Sequence, residues 1–274
     1  MNKDTIFKII PIIISSIALA ISFSSYQSLK KEKEPDLKII QNLWTSKPRY
    51  ELINESSSKL DETPSPSYIM LVPSKLYYHF GNGETASNLI LTPIPYSIVE
   101  EQIVGNQTKE SIVTTYLPKN FYGKKGIKDI ISGDIIYEDE DSLKLSVATY
   151  PFMVIVSDVD YKYNNKDKNK IILSTPLANK ELEREQYNNI MEYISDNADY
   201  LKLDIDKEKS IYETVQNKVE SQIYTMMEKN NSSKKDQKLI QIIGGKEDGY
   251  GNVLKDINSL ITPLDPIEEY QSNK

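Results

Sequence analysis

Apolar residues are spaced in three different ways along this chain, and each spacing predicts a different kind of element. From Ile9 to Tyr26 they run almost unbroken: IIPIIISSIALAISFSSY carries no charge over 18 residues. At 1.5 Å per residue this gives about 27 Å of helix, close to a hydrocarbon core of about 30 Å. Continuing to Leu29 completes the span. Pro11 falls in the first turn, where a missing N–H costs little, and Tyr26 sits where an interfacial aromatic belongs. The pattern predicts a transmembrane helix over residues 9–29, preceded by a tail of residues 1–8. A cleaved signal peptide is the competing reading, since Ala18-Leu19-Ala20 fits a small-x-small site. The apolar run continues past that site through Ile21 and Phe23, and Lys30, Lys31 and Lys33 follow it, which favours retention as an anchor.

From residue 35 to residue 176 the period becomes two. Pro35 ends any helix leaving the membrane. Leu143, Leu145 and Val147 alternate with Lys144, Ser146 and Ala148, the signature of a half-buried strand. Met153 to Val156 is a continuous apolar run, as in a fully buried strand. Val159, Tyr161 and Tyr163 alternate with Asp158, Asp160 and Lys162. Asn164-Asn165-Lys166-Asp167 then reads as a turn, and Lys170–Thr175 as the returning strand of a hairpin. Further strands are expected at Leu37–Gln41, Tyr68–Val72, Lys75–Phe80, Ser87–Thr92, Tyr96–Gln102 and Ser111–Leu117. Asn54–Ser67 is a polar insertion, expected to be a mobile loop. Prolines 64, 66, 93, 95, 118 and 151 belong at turns, edges or strand starts. Strands at this spacing predict an antiparallel sandwich of immunoglobulin-like type, with no Cys…Trp…Cys hallmark to fix its topology. Phe80-Gly81-Asn82-Gly83, followed by Ala86, Asn88 and Leu89, resembles a turn of small bacterial membrane-tethered β-sandwiches; the likeness carries no active site.

Beyond Pro176 the period lengthens to that of a helix. Tyr187, Ile190, Met191 and Ile194 share one face. Asp206 is placed to cap a second helix, in which Ile211, Val215, Val219, Ile223 and Met227 recur every four residues. Residues 177–230 therefore read as a helical hairpin, its stripe buried either in the body or between subunits. Residues 231–274 hold a short helix from Asn252, with Leu254, Ile257 and Ile261 on one side and Pro263 as its stop, and then an acidic tail. The whole is an α+β chain: transmembrane helix, β-sandwich domain over residues 35–176, C-terminal helical region.

Composition narrows the chemistry. The net charge is −7, and only two of the 33 basic residues are arginines, Arg49 and Arg184. Acids and lysines are interspersed, which argues against a nucleic-acid face. Lysine over arginine, with many Asn and Ile, is the codon usage of an AT-rich bacterial genome. The chain has no cysteine and one histidine, His79. That excludes disulfides, thiol nucleophiles, Fe–S clusters, thiolate zinc and a lipid-bearing N-terminal Cys. Any Ser-His-Asp triad has only His79 to use, and its neighbours Tyr77, Tyr78 and Phe80 mark it as a strand residue.

No motif specifies a reaction. Ser-x-x-Lys occurs at Ser28/Lys31, Ser56/Lys59 and Ser232/Lys235, and Ser195-Asp196-Asn197 matches a second element of the penicillin-recognising enzymes, but the Lys-Thr-Gly element is absent. Glu138-Asp139-Glu140-Asp141 offers carboxylates without the ligand spacing of a calcium loop. Asp158/Asp160 and Asp204/Asp206 are paired acids, read as a strand's outer face and, for Asp206, a cap. Gly244-Gly245-Lys246 and Gly249-Tyr250-Gly251 lack the strand-to-helix setting of a phosphate loop and read as a flexible turn. Accordingly no catalytic, cofactor or metal residue is assigned.

The sequence leads to a membrane-anchored protein that binds rather than catalyses. Its partners would be the lipid bilayer, through residues 9–29, and a protein or envelope ligand. A membrane-bound hydrolase using carboxylates or a Ser/Lys pair is the rival. A structural subunit self-associating through the Ile211–Met227 helix is the third class. Lys30, Lys31, Lys33 and Lys38 outnumber Lys3 and Lys8, so the positive-inside rule favours a single-pass cell-membrane protein with a cytoplasmic body over an extracytoplasmic one.

Overall fold

The computed structural model describes residues 34–43, 45–99, 101–104, 112–118, 135–138, 144–196, 202–204, 210–229 and 250–261, with isolated residues in 18–25 and Ala198. Two antiparallel sheets and three helices make up this part. The first sheet has the order β1 (Leu37–Asn42), β2 (Arg49–Asn54), β6 (Val113–Tyr116), β5 (Glu101–Val104). The second is built on β3 (Ser65–His79). One edge of β3 pairs with β4 (Thr85–Ile94). Its other edge pairs first with β9 (Val154–Tyr163) and then with β8 (Lys144–Thr149). β10 (Lys166–Ser174) and β11 (Asn179–Glu181) extend the sheet beyond β9, and β7 (Ile135–Glu138) extends it beyond β8.

The partner change explains a proline in mid-strand. The expected strands Tyr68–Val72 and Lys75–Phe80 are one strand, because Pro73 lies where β3 passes from β9 to β8. Leu71 faces Val154 and Ser74 faces Thr149, so the four residues Tyr150–Met153 bulge opposite Val72 and Pro73. Tyr150 N–H donates to the Pro73 carbonyl across the gap, at 2.9 Å. A missing N–H is tolerated where the ladder is already interrupted.

The expected strand Tyr96–Gln102 divides in two. Tyr96–Ile98 form a 3₁₀ turn and β5 starts at Glu101. Here the chain leaves β4 of the second sheet for β5 of the first. Pro95, with φ −60°, directs the corner, and Val99 N–H closes it on the Tyr96 carbonyl. β2 was not expected, because Ile53 breaks the alternation of Tyr50 and Leu52 with polar neighbours; both Ile53 and Leu52 are buried. β8 is not half-buried either: Ser146 and Ala148 are covered as well as Leu145 and Val147. The β9–β10 hairpin turns on Asn164 and Asn165, with φ of 52° and 57°. Asparagine tolerates this left-handed region, which a two-residue type I′ hairpin requires at both positions.

The Asn54–Ser67 insertion is tied down rather than loose. The Asn54 side chain accepts from the Asp36 and Ser56 backbone N–H groups and donates to the Ser58 carbonyl. Leu60 is buried, Asp61 N–H bonds the Lys162 carbonyl, and the Asp61 carboxylate accepts from Asn165 N–H. Ser65–Ser67 already belong to β3.

The helices cover the second sheet. α1 (Arg184–Asp196) packs chiefly on α3 (Tyr250–Ile261), and α2 (Ile211–Lys229) chiefly on β8, β3 and β7. The sequence allows the two longer helices to pack on each other or on the sandwich; α2 uses the sheet and α1 uses α3. Ile190, Tyr193, Ile211, Val215, Val219, Ile223, Ile257 and Ile261 join the same buried cluster as the strand residues. The stripe is filled by this chain's own core, so those four residues of α2 offer no face to a second copy. Asp206 and Pro263 lie outside the described residues; at the start of α2 the Ser210 carbonyl accepts from Thr214.

Most of residues 9–29 lie outside the described residues. No helix among the described residues is long and apolar enough to cross a membrane. Ala18, Leu19, Ile21, Ser22, Phe23 and Ser25 are helical and exposed.

Candidate functional site

Three polar groupings stand out. The first is where the body begins. Pro35 is buried and Asp36 N–H bonds the Asn54 side chain. Glu55 N–H returns to the Asp36 carbonyl. Lys38 pairs with Asp36 and with Glu55, and Lys170 pairs with Asp36 and Glu181, each at 3.5 Å. The Glu55 bond, opposed by partial burial and reinforced by Asp36, holds the Lys38 ammonium above its ordinary pKa. Next to this collar, Asn179 treats β1 as a neighbouring strand would. Its side chain accepts from Ile39 N–H and donates to the Ile39 carbonyl, both at 3.0 Å. The edge of the first sheet is thus closed against the second.

The second grouping joins α1 to the outer face of the β9–β10 hairpin. Arg184 donates to Asp158 at 2.6 Å and to the Asn169 side-chain carbonyl at 2.7 Å; the Asn169 amide bridges Asp158 and Asp160. Arg184 also lies 5.3 Å from the Tyr187 ring centroid. Burial opposes the charge on Asp158, but the Arg184 and Asn169 bonds outweigh it and hold the carboxyl below its usual range. The Asp158/Asp160 pair is therefore occupied as a fastening.

The third grouping surrounds His79. Lys75, Tyr77 and His79 alternate on one face of β3. Lys75 is buried, with its ammonium 5.6 Å from the Tyr77 ring centroid. Tyr77 stacks on the imidazole at 6.4 Å, and His79 Nε2 lies 3.2 Å from Ser146 Oγ. His79 is the strand residue expected, but Ser146 was not singled out with it: only the register of β3 on β8 joins them.

The other sequence candidates do not converge. Ser56 is engaged in the Asn54 turn, donating to Asn54 Oδ1 and accepting from Ser58 N–H. Ser195, Asp196 and Asp204 are exposed. Glu138 ends β7, and Tyr250-Gly251, expected in a flexible turn, start α3. Ser28, Lys31, Asp139–Asp141, Asn197, Ser232, Lys235, Gly244–Lys246 and Gly249 lie outside the described residues. Among the described residues no three His, Cys, Asp or Glu side chains are grouped to hold a metal ion. Comparison of the chain with protein-family models, curated proteins and solved structures found no match.

Proposed function

We propose that this is a single-pass membrane protein whose β-sandwich body is held close to the bilayer and acts by binding a protein or envelope ligand. The observation that carries this reading is the collar. Leu37 starts β1 only eight residues beyond Leu29, a reach of about 28 Å even when fully extended. The chain is fastened to the body from Pro35 onward. An anchor so joined sets the orientation of the sandwich as well as its location. The uncharged run supports the anchor, as do the helical, outward-facing Leu19, Ile21 and Phe23. The flanking lysines favour a cytoplasmic body.

On this reading the body is an immunoglobulin-type sandwich. The order β1-β2-β6-β5 follows A-B-E-D, and β4-β3-β9-β10 follows C′-C-F-G, with β7 and β8 added between E and F. β3 starts beside the collar end and runs for 15 residues, about 50 Å at 3.3 Å per residue. Its tip, the Phe80–Gly83 turn with Phe80 exposed, is the part furthest from the bilayer and the natural contact surface.

The His79–Ser146 contact favours a second reading, a serine hydrolase. A fluorophosphonate probe on the detergent-solubilised full chain separates the two. Binding without catalysis predicts no covalent labelling. Labelling that Ser146→Ala abolishes would replace the binding reading with the hydrolase.

A further inference from the structure

The inner face of the first sheet should be apolar, yet one row across it is polar. Gln41 pairs with Tyr50, Tyr50 with Thr115, and Thr115 with Gln102. Directly paired residues of an antiparallel sheet share a face. Tyr50 and Thr115 are fully buried, so the row points into the sandwich. From the opposing sheet Tyr68 meets Tyr50 edge-on, with ring centroids 4.9 Å apart. Ser157 pairs with Tyr68 and is fully buried on the same face.

Five oxygens of this layer are buried without a hydrogen-bond partner among the described residues: Gln41 Oε1, Tyr50 Oη, Tyr68 Oη, Thr115 Oγ1 and Ser157 Oγ. The Gln41 amide is held from the other side, donating to the Ser174 carbonyl. The Thr115 hydroxyl is close enough to Tyr50 to favour its ionised form slightly, but the two do not meet in hydrogen-bond geometry. Burial pushes both the Tyr50 and Tyr68 hydroxyls far above the ordinary tyrosine pKa, and the Tyr96 hydroxyl adds to both shifts. Tyr96 is half exposed and donates to Gln102 at 3.0 Å. It stands where the layer meets solvent.

Scattered orphans would be separate defects. Five in one layer, drawn from five strands, share a cause. Burying a hydroxyl with no partner is costly, and a water bound inside a protein typically makes two to four hydrogen bonds. We propose that this layer is a binding slot for neutral hydroxyl groups, filled by ordered water that bridges Gln41, Tyr50, Tyr68, Thr115 and Ser157, with the Tyr96–Gln102 bond as its closure. None of these five side chains carries a charge, so together they select neither anions nor cations.

The sign of a stability change tests this in the full chain. In a dry layer, Tyr50→Phe, Tyr68→Phe and Thr115→Val each remove an orphan, and the melting temperature rises or stays level. In a hydrated layer each removes a partner of the bridging water, and the melting temperature falls by roughly 2–4 °C. The Tyr50→Phe/Tyr68→Phe pair then falls by less than the sum of its singles, because both act on one network. Thr92→Val is the comparison, since Thr92 is an equally buried orphan outside the row; it should not fall. Rising or level values for the layer variants would overturn the proposal. So would a fall for Thr92→Val as large as theirs, which would report loss of any buried hydroxyl.

Discussion

Asp158 illustrates how single residues divide between fastening and function. Its carboxyl is held low by Arg184 and Asn169 against the opposing effect of burial. A depressed folded-state pKa stabilises the protein fully above the unfolded value of about 3.9, and that contribution is lost as pH falls through the lower folded value. Arg184→Gln should therefore lower the melting temperature on the order of 1–2 °C at pH 7, Arg184 itself being half exposed. The gap to the unmodified chain should narrow progressively as the pH is lowered below about 3.9. A series of melting curves from pH 7 into acid checks this; a gap that does not narrow would mean that Arg184 acts by packing on Tyr187. At this scale the sequence was only half legible. That His79 is the one imidazole and a strand residue follows from reading along the chain. That it meets Ser146, 67 residues away, follows only from register. The polar layer was hidden for the same reason: its members are spread over five strands, and each looks ordinary within its own.

Elements were legible where one period ran unopposed. The returning strand of the β9–β10 hairpin, the apolar run into β9 and the four-residue stripe of α2 were all readable from spacing. Pro73 misled because a proline in a central strand normally breaks it, and here a change of partner absorbs the break. The loop after Asn54 misled because Asn54 and Ser56 bond its own backbone and Asp61 ties it to the β9–β10 turn. Helix partners stayed open between each other and the sandwich, because an apolar stripe shows that a face is buried without showing what buries it. α2 gives the test. Val219 is buried with Val215 and Ile223 in the shared core, so Val219→Asp puts an unpaired charge there at a cost of several kcal/mol. Melting should fall by roughly 10 °C or more, equally at low and high protein concentration. An unchanged melting temperature with a smaller particle in sedimentation would instead make the stripe a subunit contact.

For the whole molecule, the account depends on how the N-terminal run and the body work together. The sequence marks the run by its lack of charge, and the structure fixes the body from Pro35 onward; on the proposed anchoring, the link between them is too short for the sandwich to leave the bilayer surface. The two-sheet antiparallel body was foreseeable from strand spacing. The order of its strands was not, since no disulfide or tryptophan pins it. The most direct measurement uses the absence of cysteine. Full-length Ser57→Cys, altered only at an exposed loop position, is exposed in intact cells to a membrane-impermeant maleimide, and the membranes are then washed with alkaline carbonate. The account predicts that the protein stays in the washed membrane pellet with its first twenty residues present, and that it is labelled only after lysis. Labelling before lysis would move the body to the outer side and leave the anchor standing. Recovery in the carbonate supernatant, or a chain beginning at Ile21, would contradict the anchored sandwich itself.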